Sequence, residues 1–323
     1  MEPTNRAQED HTAHKAAQAA HEHLADSITI PDIQGEMVHL RAATWEDYEK
    51  MDSISAFSRS LILFGKTAEA ERAIIRAWVK RSLAWQEGHR AASQCADAQH
   101  VSAHSLDAQE RGVLAWSLFV EEEFIGMAFL VDIDTWAGSA RIHVILGENY
   151  RGRGFTRDAM PRVMTFGFAP RPAGMGLHRI WISVPSANTR SQAVYQSLGF
   201  TETGVARDAL WDSVENHYMD LHVYDMLVDE YDPIRSLEAF GLHPIMDNPG
   251  VREALAQHEH TMELKKRVTD QEQDLTVTVE EIEEDISADV ISDESEKLDI
   301  DTEDRSAASG PWWRKLGDAR KRD

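Results

Sequence analysis

Between Arg141 and Phe200 the chain twice runs from an apolar strand through a polar turn into a helix, and no other stretch restricts the possible folds so strongly. Ile142, Val144, Ile145 and Leu146 form the first apolar run. The turn Arg151-Gly152-Arg153-Gly154-Phe155-Thr156 follows, opening a helix whose Met160, Val163, Met164 and Gly167 recur at i, i+3, i+4 and i+7. Glycines let main-chain N–H groups point inward without Cβ obstruction, and a helix start adds unpaired donors and a positive dipole end. Arg151 and Arg153 add two full charges. The turn therefore reads as a seat for a polyphosphate, with an ordinary solvated turn as the alternative. It is not a Walker loop, which needs Gly-Lys-Ser/Thr. Nor is it the dinucleotide fingerprint, whose third glycine is replaced by Arg157.

After the strand Arg179 to Val184 comes Asn188-Thr189-Arg190-Ser191-Gln192-Ala193-Val194-Tyr195-Gln196-Ser197-Leu198-Gly199-Phe200. Here the sequence resembles the GNAT superfamily of acetyl-CoA-dependent N-acetyltransferases, and within it the RimJ/RimL-type branch. The family's loop pattern Arg/Gln-x-x-Gly-x-Gly/Ala is met by Arg151 and Gly154, with Thr156 in the last place. The later pattern is met by Asn188, Ser191, Tyr195, Gly199 and Phe200. The resemblance covers roughly Gly35 to Tyr231. It implies an α+β (α/β) fold: a mixed, mostly antiparallel central sheet with helices on both faces.

The resemblance also implies a site. The N–H groups of Arg151, Gly152, Arg153, Gly154, Phe155 and Thr156 would hold the diphosphate of acetyl-CoA. The pantetheine arm would lie beside Ile145 and Leu146, between parted strands, with Asn188, Ser191 and Tyr195 on its other side. Tyr195 is the candidate general acid for the departing thiolate, and Ser191 competes for that role. A phenol of pKa about 10 can serve a thiolate of pKa about 8.5 without a large shift. The base is less well marked. Arg141 and Thr203 stand where relatives carry glutamate; Glu202 is one step out of register, on the opposite strand face. His143 and Asp220 remain as proxies, each with a structural role as the alternative. Roughly a tenth of an α-amine is neutral at pH 7, whereas a lysine needs about 4 kcal/mol more for deprotonation. A weak base therefore suits an N-terminal α-amine or a small amine of similar pKa. The alternative is a catalytically weak CoA-binding module acting through its tails.

The net charge of −23 argues against a nucleic-acid partner, which would need a basic face. No apolar run reaches the ~18 residues of a transmembrane helix, and the start lacks a secretion signal, so a cytoplasmic location is expected. Cys95 is the only cysteine, so neither a disulfide framework nor a zinc cluster is expected, and no metal is implied. Residues 1–33, with His11, His14, His21 and His23, read as a polar, flexible leader. The acetyltransferase domain is expected over 34–232, with a loop insertion at 88–112.

Within that domain, Val38, Leu40 and Ala42 alternate as a strand. Thr44 and Thr67 start helices. Leu114 to Val120 and Phe124 to Val131 form a hairpin, and Arg141 to Leu146 adds a third strand. Pro161, inside a predicted helix, should kink it or disturb its first turn, at up to about 3 kcal/mol. A strand from Phe200 to Arg207 pairs with His217 to Met226, whose Met219, Leu221 and Val223 share one face. A helical extension occupies 233–265. The tail 266–304 is expected to be disordered, because Glu272 to Asp304 carries fifteen acidic residues against one lysine. The terminus 305–323, with Trp312, Trp313 and a basic cluster, fits contact with a partner groove or a membrane surface, or no contact at all.

Overall fold

The computed structural model describes residues 27–88 and 112–269. Most of the leader, nearly all of the 88–112 insertion, and the two C-terminal segments lie outside the described residues. The described elements up to Lys266 lie in one compact unit, built on an eight-stranded sheet. Its strands are β1 (Ile33–Gln34), β2 (His39–Ala42), β3 (Gly112–Val120), β4 (Glu123–Asp134), β5 (Ser139–Leu146), β6 (Arg179–Pro185), β7 (Thr201–Asp212) and β8 (His217–Leu227). They lie in the order β1-β2-β3-β4-β5-β6-β8-β7. Every pairing is antiparallel except β5 with β6.

Period-2 side-chain alternation gives the sheet two cores. Leu114, Trp116 and Leu118 of β3 face one side, with Ile142 and Leu146 of β5. Val113 and Ala115 face the other, with Met127, Phe129 and Val131 of β4 and Ile145 of β5. The first side is covered by α4 (Phe155–Phe168), the second by α1 (Trp45–Glu49), α2 (Ser60–Phe64) and α3 (Ala68–Gln86). Thr44 caps α1 in a capping box with Asp47, and the Thr67 hydroxyl caps α3 by accepting from the Ala70 N–H.

Pro161 lies within α4, which runs on to Phe168, and the first turn of that helix is tightened by the bond from the Arg157 N–H to the Gly154 carbonyl. Its carbonyl accepts from both the Thr165 hydroxyl (2.9 Å) and the Tyr231 hydroxyl (2.7 Å), so side chains brace the turn around it. In β8 the core face belongs to Tyr224 and Met226, which pair with Ile182 and Ile180 of β6. Leu221 and Val223 are only half-buried, and Met219 is buried beyond the last pair with β6. Register shifts at Glu202/Gly204 and Ala206/Leu210 of β7 accompany this pattern, since a bulge bends and twists its strand. A 3-10 turn (Glu148–Tyr150), α5 (Thr189–Ser197), α6 (Arg235–Glu238) and a helix over 251–269 complete the described elements. None of their helices is long and apolar enough to cross a membrane.

Candidate active site

The parallel pair is also a seam at which the sheet opens. β5 and β6 pair at Ser139–Arg179, Ala140–Ile180 and Arg141–Trp181, and no pairs continue beyond. β5 runs on to Leu146 and β6 to Pro185, where β6 is held instead by β8. The strands part towards their C-terminal ends, and a cleft of about 450 Å³ occupies the gap. Its walls are β5 through His143, Val144 and Leu146, and β6 through Ile182, Ser183 and Val184. α2 and α5 close the sides, and the turn before α4 forms the mouth.

That turn has the geometry its glycines predict. Gly152 and Gly154 hold φ of +79° and +94°, a region costly for side-chain-bearing residues. The N–H groups from Gly152 to Thr156 have no protein acceptor among the described residues. The 157 and 158 N–H groups, by contrast, both bond the Gly154 carbonyl. Successive free donors at the start of a 14-residue helix make an anion cradle. The cleft lining includes Arg59, Arg151, Arg157 and Arg190 and no carboxylate. Residues and cradle therefore fit a diphosphate.

The charges are not arranged as the sequence suggests. The Arg151 guanidinium is taken up by main-chain acceptors: it donates to Leu146 O (3.0 Å), Ser58 O (2.9 Å) and Ala56 O (2.6 Å), and to Ser58 Oγ (2.9 Å). It pins the segment before α2 to the end of β5, and burial pushes its pKa down. Arg153 is exposed beside the Tyr150 ring and does not line the cleft. Ile145 is buried in the α3-side core, whereas Leu146 lines the cleft.

On the opposite wall, Asn188 caps α5 through Oδ1, which accepts from the Ser191 N–H at 3.2 Å. Its Nδ2 donates to Leu63 O at 3.1 Å, tying α5 to α2 across the cleft. Ser191, Asn188 and Tyr195 all line the same space. Tyr195 is 7% exposed and meets Phe200 edge-on at 5.6 Å. Its hydroxyl has no hydrogen-bond partner among the described residues, and burial raises its pKa well above the ordinary phenol range, in place of the unshifted phenol expected; it stays protonated at neutral pH but is a weaker acid than a free phenol.

The base candidates separate cleanly. Arg141 lies between the Trp78 and Trp181 rings (5.2 and 5.6 Å) and pairs with Asp132 at 3.0 Å. The Thr203 hydroxyl donates to Val223 O, Glu202 bonds His222, and the Asp220 carboxylate accepts the Asp208 N–H. All three belong to the β7–β8 hairpin and none lines the cleft. His143 does line it, and behind it stands Glu71, which the sequence reading missed. Glu71 comes from the first turn of α3, is 1% exposed, and places Oε1 3.1 Å from His143 Nε2. A buried acid on an apolar helix face was the available signal.

The family described as "Acetyltransferase (GNAT) domain" matches residues 37–201. The uncharacterized N-acetyltransferase p20 of Bacillus licheniformis is 31% identical over 135 residues, 41% of this chain and 71% of that protein. Spermidine N(1)-acetyltransferase of Vibrio cholerae is 24% identical over 111 residues, 34% of this chain and 61% of that one. Among solved structures, Mycobacterium smegmatis RimJ in complex with CoA-disulfide is 19% identical, covering 63% of this chain and 89% of that one, with a TM-score of 0.47. With half its length matched by one family model, the chain belongs to the GNAT acetyltransferases.

Proposed function

We propose that the protein transfers an acetyl group from acetyl-CoA to an amine by direct attack in a ternary complex. The acceptor is a protein N-terminal α-amine or a small amine of comparable pKa. The observation that carries this reading is the run of unpaired N–H groups, Gly152 to Thr156, at the mouth of the cleft where β5 and β6 part. Those donors would hold the diphosphate, and the parted strands would take the pantetheine arm along Leu146 and Val184. Acetyl-CoA supplies the activated acyl group. Holding both reactants in one cleft can remove several kcal/mol from the barrier. Tyr195 is the group for the leaving sulfur: its hydroxyl has no partner among the described residues and stays protonated at neutral pH. Ser191, one helical turn earlier, is the second donor. Arginines without carboxylates in the lining favour a monoamine over a polycation such as spermidine, the acceptor named for one relative.

The test is mass spectrometry of N-terminal peptides, lysine peptides and polyamines after incubation with labelled acetyl-CoA. Free-thiol release is followed in parallel. Acetylation of α-amines ahead of the other classes is expected, and faster acetylation of lysine side chains or spermidine would overturn the acceptor assignment. A second reading, coenzyme binding without turnover, draws on Arg141 filling the strand position where the resemblance places a glutamate. Thiol release with any acceptor rejects it.

A further inference from the structure

We infer that His143 is the general base of the transfer and that Glu71 positions it and stabilises its protonated form. This rests on the acetyl-transfer reading above. The observation is a buried acid–imidazole pair that the fold leaves unsatisfied beside the cleft. Glu71 and His143 are 1% and 8% exposed, yet neither Glu71 oxygen, nor Nε2 of His143, has a well-aligned hydrogen-bond partner despite the 3.1 Å approach. A carboxylate removed from water without aligned donors costs several kcal/mol, which a purely structural contact would not require. The other ring nitrogen, Nδ1, makes no hydrogen bond among the described residues, and His143 lines the cleft from β5.

The surroundings suit the role. Phe64 and Trp78 flank the imidazole at 4.9 and 5.1 Å, a low-dielectric wall that strengthens the Glu71 field. Burial pushes the His143 pKa down, as do the Arg141 and Lys66 charges, while Glu71 opposes them. The imidazole is therefore neutral near pH 7 and able to accept. Burial also opposes ionisation of Glu71, but His143, Lys66 and Arg141 outweigh it and hold the carboxyl below its ordinary range.

His143 takes one proton from the acceptor ammonium, and the freed nitrogen lone pair attacks the thioester carbonyl. The C–N bond forms and the C–S bond breaks. A second proton leaves nitrogen as the amide forms and, through water, restores the hydroxyl of Tyr195 or Ser191, which has given its own proton to sulfur. The third stays on the amide, and imidazolium returns its proton to water.

The test compares wild type with His143→Gln and Glu71→Gln, measuring kcat against pH with a saturating α-amine peptide and acetyl-CoA. Coenzyme binding is measured by calorimetry. For His143→Gln, kcat should fall by about 10²–10⁴ at pH 7, the usual worth of a general base. Coenzyme affinity should stay within about threefold. Glu71→Gln should move the acid limb of kcat to lower pH by about one unit, because removing an anion weakens the imidazolium. An unmoved limb in Glu71→Gln, or wild-type kcat in His143→Gln, overturns the base assignment alone. Absence of turnover in the wild type with every acceptor overturns the acetyl-transfer reading and this inference with it.

Discussion

Asp158 and Glu71 are both sealed among the described residues beside a basic partner, and the fold treats them differently. Asp158, on α4, is fully buried and fully answered: Oδ2 accepts from the main-chain N–H groups of Met37 (2.7 Å) and Val38 (3.1 Å), and Oδ1 from Arg162 Nε (2.8 Å). Arg162 is answered in turn by His243 O at 3.2 Å. Glu71, on α3, has no aligned hydrogen-bond donor: His143 approaches it off line, with an open cleft beyond. The first pair closes a network that staples the β1–β2 turn to α4. The second leaves its electrostatic energy directed at a cavity. Burial of charge by itself therefore identifies neither a structural nor a reactive group; the completeness of its hydrogen bonding does.

Substitution should pull the two pairs apart. Asp158→Ala strands Arg162 and two main-chain donors, so a loss of about 3–5 kcal/mol is expected in denaturant unfolding. The double variant Glu71→Met, His143→Leu should do the reverse, gaining about 1–4 kcal/mol as apolar groups replace an unsatisfied pair. The same variant should lose turnover, and a large destabilisation would mean the pair is structural after all.

Acid should also distinguish wild type from that double variant. The folded pKa of His143 lies below the ordinary 6.5 and that of Glu71 below 4.5, so the unfolded chain binds protons first at both sites. Stability is complete above pH 6.5, falls as pH drops through 6.5, and falls further below 4.5. The double variant should show a flatter stability profile across that window in urea titrations.

Smaller effects are expected at the cleft walls. Gly154→Val must adopt φ near +94°, costing about 1–2 kcal/mol or rearranging the turn. Coenzyme affinity by calorimetry should collapse while the circular dichroism spectrum persists. Tyr195→Phe removes a hydroxyl with no internal partner, so stability should stay within about 0.5 kcal/mol while kcat falls. An unchanged kcat would pass the leaving-group role to Ser191.

What could be read from residue order was local. Alternation located the strands, Thr44 and Thr67 marked helix starts, and Gly152 with Gly154 announced a turn with inward-pointing main-chain donors, because each of these is decided within a few residues. The strand–turn–helix units also carried the family resemblance. Tertiary structure decided the rest. That β5 and β6 diverge depends on β8 holding β6, and that Arg151 is withdrawn from the cradle depends on carbonyls near Ala56, far away in the chain. Glu71 meets His143 only because α3 packs across the α3-side face of β5. Long-range electrostatics of that kind arises from folding, where two distant side chains lose water together, and no spacing rule along the sequence encodes it.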